Sequence, residues 1–131
     1  MCRSAFLIIV VLGCVLWGGC KRETDSAAKT TQGTGVADVA GAKAIFSGRC
    51  VACHGNTGAG DGPGAAALKP KPRAFADKAW QKSITDEQIK QTIVAGGLAV
   101  GKSALMPGNP DLKGKTAVLN GLVQVIRQFG K

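Results

Sequence analysis

The hydrophobic residues of this chain fall into four clusters separated by polar or glycine-rich stretches. The first, Ala5-Phe6-Leu7-Ile8-Ile9-Val10-Val11-Leu12, is unbroken. The second brings Ala40, Ala44, Ile45 and Phe46 to one short helical face. The third sets Ile89, Ile93 and Val94 on one side of a helix, and the fourth does the same for Leu119, Leu122, Val123, Ile126 and Phe129. Beyond the first cluster nothing alternates with a period of two over a useful length. The pattern predicts an all-α fold of about three to four helices with long loops, and no internal repeat.

Local signals sharpen two of these helices. Thr85 can cap a helix start while Gln88 reaches back to it in a capping box, and Asp86 and Glu87 suit the positive end of the helix dipole. Gly96-Gly97 ends that helix. The last helix is expected from about Lys115 to Phe129. Gly41, in the helix before it all, is expected to leave room for close approach of another helix. Gly55, Gly58, Gly60, Gly62 and Gly64 mark a loop, and Pro70 and Pro72 keep the chain extended before Phe75. A second loop carries Leu105-Met106-Pro107-Gly108.

The first cluster is too short for a permanent span and has the layout of an export signal behind Arg3. Leu16-Trp17-Gly18-Gly19-Cys20 resembles a bacterial lipoprotein signal, with Trp17 where an aliphatic residue is usual. Val11-Leu12-Gly13-Cys14 competes, and an uncleaved anchor or cleavage without a lipid are the plain alternatives. Cleavage before Cys20 removes Cys2 and Cys14 and leaves no stray thiol in an oxidising compartment. The expected organisation is a signal over 1–19, a flexible tether over 20–38 with Cys20 lipidated, and one domain over 39–131. The protein is then exported and anchored on the periplasmic side.

A net charge of +9 is spread over many single lysines, with no tyrosine and no basic stripe interleaved with aromatics. Nucleic acid is therefore not an expected partner. The balance suits acidic protein partners or anionic membranes, or simply a solvated surface.

The candidate chemistry lies in Cys50-Val51-Ala52-Cys53-His54. Two thiols at this spacing can add across the vinyl groups of one porphyrin edge, and the adjoining histidine can put a nitrogen on the iron, so the motif reads as covalent attachment of one haem c. Thioredoxin-like motifs do not need the histidine and sit in βαβ surroundings. Structural zinc needs about four Cys or His ligands, and the chain has a single histidine and no second cysteine pair downstream. A buried haem would also supply the apolar body that a chain with 5% aromatic residues lacks. The iron's other face could take Met106, a lysine, or nothing. Once Met1 leaves with the signal, Met106 is the sole methionine, held in a Pro- and Gly-flanked loop off any helical stripe. Met106 is the expected second ligand, and His/Met ligation marks electron carriers.

The pattern Gly41-x-x-x-Ile45-Phe46-x-x-x-Cys50-x-x-Cys53-His54-Gly55, then Gly60-Asp61-Gly62-Pro63, Leu68, Pro72-Arg73-x-Phe75 and Leu105-Met106-Pro107, resembles class I cytochromes c, in particular small bacterial mono-haem domains. The resemblance implies thioethers at Cys50 and Cys53, His54 as proximal and Met106 as distal iron ligand. It implies that the Pro63 carbonyl orients the His54 imidazole, that the first and last helices cross, and that Trp80 or Arg73 meets a haem propionate. Two positions depart from it: Val125 stands where the last helix often has an aromatic, and Ala74 where an acid often follows the Pro-Arg pair. The implied function is a monomeric one-electron carrier in a periplasmic or membrane-associated respiratory chain, with redox protein partners and no catalytic site. The alternatives are an accessory subunit of an oxidase or reductase, or a haem peroxidase or gas sensor in which Met106 can be displaced.

Overall fold

A computed structural model describes residues 36–131, so the export signal, Cys20 and most of the tether lie outside the described residues. The first helix, α1 (Val39–Ile45), starts at Asp38, whose carboxylate accepts a hydrogen bond from the Gly41 N–H at 2.8 Å. Such a cap satisfies one of the donors a helix start leaves unpaired. The helix does not end at Ile45. It widens into a π-helical turn over Phe46–Cys50 and resumes as α2 (Val51–His54), and Gly55 terminates it at φ 75°. Positive φ is open to glycine without a Cβ penalty.

After a glycine-rich loop with a 3-10 turn at Pro63–Ala65 comes α3 (Lys78–Ser83), capped by Asp77, whose carboxylate accepts from the Ala79 and Trp80 N–H groups. None of its residues is fully buried and Trp80 is its one hydrophobic side chain packed on the core, so hydrophobic spacing carries no signal for it. The next, α4 (Asp86–Ala95), carries the expected reciprocal capping box between Thr85 and Gln88 and ends at Gly96 with φ 82°. Short 3-10 turns at Leu98–Val100 and Pro110–Leu112 lead to α5 (Thr116–Gln128). The described residues contain no strand.

The crossing of α1 and α5 forms the centre of the core. Ala42, Phe46, Leu122, Val123 and Ile126 are buried there, with Ile89 and Ile93 of α4 against them. The Asp38 N–H donates to the Ala117 carbonyl at 2.9 Å, fixing the start of α1 on α5. The glycine that permits the close approach is Gly121, not Gly41. A Cβ on Gly121 would collide with the Asp38 carbonyl and lie 2.8 Å from the Ala42 Cβ, whereas a Cβ on Gly41 would meet only its own cap, the Asp38 carboxylate. The aromatic contact with the first helix comes from Phe129, at the end of α5, whose ring lies 5.5 Å from that of Phe46, while Val125 is simply buried. Arg127 ties α5 to the α3–α4 corner, donating to the Gln81 and Ile84 carbonyls and to Asp86.

Gly121 provides a signed test. Alanine is favoured over glycine in a helix by about 1 kcal/mol, yet Gly121→Ala should destabilise the haem-loaded protein by about 1–3 kcal/mol because the added methyl meets backbone. Gly48, which has open space around it, is the control. Guanidinium unfolding should show a lowered midpoint for Gly121→Ala and none for Gly48→Ala.

Candidate functional site

The end of the first helix carries the chemistry. Cys50, Cys53 and His54 stand at i, i+3 and i+4, so they share one helical face, and all three are half-buried. The two thiols are not joined in a disulfide. They face a cleft of about 580 Å³ whose walls include Ile45 and Phe46, Leu68 and Pro70, Phe75 and Trp80, Ile89 and Ile93, and Leu122 and Ile126. Met106 and Pro107 line the same cleft. Four expected site residues, Cys50, Cys53, His54 and Met106, are thus brought to one apolar space.

His54 is held in a defined state. Its Nδ1 lies 3.2 Å from the Arg73 carbonyl oxygen. A carbonyl can only accept, so Nδ1 carries the proton and Nε2 keeps a lone pair for a metal. Burial pushes the imidazole pKa below its usual value, and the Arg73 hydrogen bond opposes that only in part. The ring also stacks on Phe75, with centroids 4.5 Å apart and planes 14° from parallel.

Pro63 does not orient the imidazole, contrary to the family pattern. It is an exposed residue opening a 3-10 turn, and the carbonyl that accepts from Nδ1 is that of Arg73. The segment around Pro63 instead closes the end of α2. The Gly60 N–H donates to the His54 carbonyl at 2.9 Å and the Gly62 N–H to the Cys53 carbonyl at 3.1 Å, satisfying carbonyls that a helix end leaves unpaired. Sequence reasoning could not have found Arg73 in this role, because the group it offers is a backbone carbonyl common to all residues.

The Met106 loop lies against the end of α4. The Met106 carbonyl accepts from the Gly97 N–H at 2.9 Å, and Asn109 donates from both its backbone and side chain to the Ile93 carbonyl at 3.0 Å. The approach is close enough that a Cβ on Gly108 would sit 2.7 Å from the Val94 carbonyl oxygen. Glycine and a short amide are what let the loop lie flat on the helix end.

Electrostatically the cleft is one-sided. Arg49, Lys71, Arg73 and Lys102 line it, and among the described residues no carboxylate does. Arg73 reaches Asp77 at 3.4 Å, one turn beyond the acid missing at Ala74, and its guanidinium sits 5.9 Å over the Trp80 ring. The Cys50 thiol is pushed up by burial, with Arg49 pulling in the other direction. No group of three or more Cys, His, Asp or Glu residues is placed to cage a metal among the described residues. The donor set is therefore not that of a closed zinc site. Two thiols, a free Nε2, a thioether sulfur, apolar walls and a basic rim fit a flat, largely apolar, anionic iron porphyrin.

A family model described as Cytochrome c matches residues 39–118. The matched span opens with the first residue of α1 and takes in the attachment motif, α3, α4 and the Met106 loop. Comparison with curated proteins and with solved structures gave no match.

The correction at Pro63 can be checked directly. In the haem-loaded protein, Pro63→Ala should leave the His54 Nδ1 proton resonance in place. Phe75→Ala should shift that resonance and cost about 3–5 kcal/mol of stability, as deletion of a buried aromatic does.

Proposed function

Because this chain belongs to the cytochrome c family of haem-binding electron-transfer proteins, with covalently bound haem c and its iron, we propose that it is a mono-haem, one-electron carrier of a membrane-associated respiratory chain. The observation that carries the reading is the convergence of Cys50, Cys53, His54 and Met106 on one apolar cleft. When bound, the haem supplies one reversible electron at iron.

Cys50 and Cys53 would hold it as thioethers from one helical face. His54 offers Nε2 to the iron, and the Arg73 carbonyl fixes the ring and raises its basicity from behind. With the Met106 sulfur as its second protein ligand, the iron would have no open site for oxygen or peroxide. A soft neutral sulfur and an apolar cleft favour the reduced metal, so the potential should be relatively high. Phe46, Ile89 and Ile93 exclude water from the cleft floor, which keeps geometry and solvation nearly unchanged between the two redox states.

The basic rim of Arg49, Lys71, Arg73 and Lys102 supports docking with acidic redox partners, fast at low ionic strength and slower as salt screens the attraction. The protein acts as a monomer on the periplasmic side of the membrane. A lipid on Cys20, with the tether behind it, keeps the domain near membrane-bound donors and acceptors and raises their effective concentration.

An optical spectrum of the ferric protein tests the core of this reading. The wild type should be low-spin with a weak far-red sulfur-to-iron charge-transfer band, absent in Met106→Ala. A high-spin wild-type spectrum would overturn His/Met ligation. Cys53→Ala should retain one thioether, read by mass and pyridine haemochrome. Cys20→Ser should move the protein from the membrane to the soluble fraction.

A further inference from the structure

The two walls of the cleft are joined at its mouth by a single side chain. Arg49, the residue before Cys50, donates from one guanidinium nitrogen to Asp111 Oδ1 at 2.9 Å and Oδ2 at 3.1 Å, and to Asn109 Oδ1 at 3.3 Å. Asn109 and Asp111 follow Met106 by three and five positions. Among the described residues, no other hydrogen bond or ion pair runs between the first helix, residues 39–54, and the Met106 loop through Leu112. Among the described residues, the other polar anchors of that loop go to itself, to the end of α4 or to Lys115 at the start of α5.

From this arrangement we infer that Arg49, with Asn109 and Asp111, is a clasp that holds the Met106 loop closed against the His54 side of the cleft. Arg49 is a positioning residue: its hydrogen bonds go to Asn109 and Asp111, and it acts on Met106 through the loop. The inference rests on Met106 being the second iron ligand, as proposed above.

The physical argument concerns which contacts can yield when Met106 swings out. The anchors to α4 are backbone hydrogen bonds, the Asn109 side-chain amide on the Ile93 carbonyl and glycine contacts, all within one wall, so opening the cleft need not break them. Leu112, fully buried, anchors the base of the loop in the core. The Arg49 bonds span the gap and must break when the loop lifts. They are charge-assisted, and Asn109 is itself immobilised by Ile93, so the acceptors are preorganised. Lys115, 3.9 Å from Asp111, adds a second cation to the same carboxylate. The pair is about half exposed, which sets its scale: exposed ion pairs contribute little singly and weaken with salt.

A displacement titration tests the clasp. Imidazole is titrated into the ferric, haem-loaded full chain of wild type, Arg49→Ala, Asp111→Ala and the double variant, following loss of the far-red band. Each single variant should bind imidazole about two- to fivefold more tightly than wild type. The double variant should match the singles rather than add to them. The differences should shrink at high salt, and Arg49→Lys should recover part of the wild-type behaviour. Glu87→Ala, which breaks an ion pair within α4 (Lys90–Glu87, 2.7 Å), should leave imidazole affinity unchanged. Wild-type affinity in both single variants, or strictly additive effects, overturns the clasp while leaving ligation intact. A wild type without the far-red band overturns the ligation reading and the clasp with it. Should Arg49→Ala impair haem attachment next door, Asp111→Ala decides the question alone, since Asp111 lies outside the motif.

Discussion

The N-terminus of α1 rests on bare backbone of α5. Gly121 presents no side chain beneath the Asp38 carbonyl and Ala42, and the Asp38 N–H is bound to the Ala117 carbonyl. That pair of contacts sets the height and direction of the first helix. Since Phe46–Cys50 continues it as a π turn and α2 follows without a break, the same contacts aim Cys50, Cys53 and His54 some four turns away. A wider crossing would tilt the whole rod and carry the imidazole off the Arg73 carbonyl. Interiors packed to crystal density transmit such shifts rather than absorb them.

The cleft is built from apolar walls that a chain of this size can ill spare. Phe75 is shared between roles: it is buried in the core, contacts Phe46, Trp80 and Phe129, and backs the His54 ring. A covalently held haem turns those exposed walls into core, so binding and folding stability are one quantity here. The apolar patch would otherwise be a liability. Among the described residues, the cations that line the cleft are exposed side chains, which spares them the cost of burying an unpaired charge.

The two sides of the cleft are made by different physics. On the histidine side a long helix and a backbone carbonyl hold a partly desolvated imidazole whose pKa burial lowers. On the methionine side a loop lies on a helix end through glycines and backbone hydrogen bonds, with Arg49 reaching over from the other wall. One side is held by a continuous element and the other by contacts that can open.

Much was legible along the chain. Periodicity found the helices that bury a face, Thr85 and Gln88 announced their capping box, and the Cys50–His54 spacing stated the attachment chemistry, because each is a local rule written in side-chain identity. The same reasoning passed over α3, which packs only Trp80 on the core, and misassigned Gly41 and Pro63. Whether a glycine caps its own helix or admits another depends on what lies across from it, and only the crossing with α5 decides in favour of Gly121. The partner of the His54 imidazole is a carbonyl, a group every residue possesses, so no side chain could name Arg73. Likewise nothing in the letters joins Arg49 to Asp111, more than half the domain away. The sequence by itself determined the helices that bury an apolar face, the thiols, the imidazole and the lone methionine. The tertiary structure decided which backbone atoms and distant side chains hold them in place, because those contacts come from packing between elements and not from spacing within them.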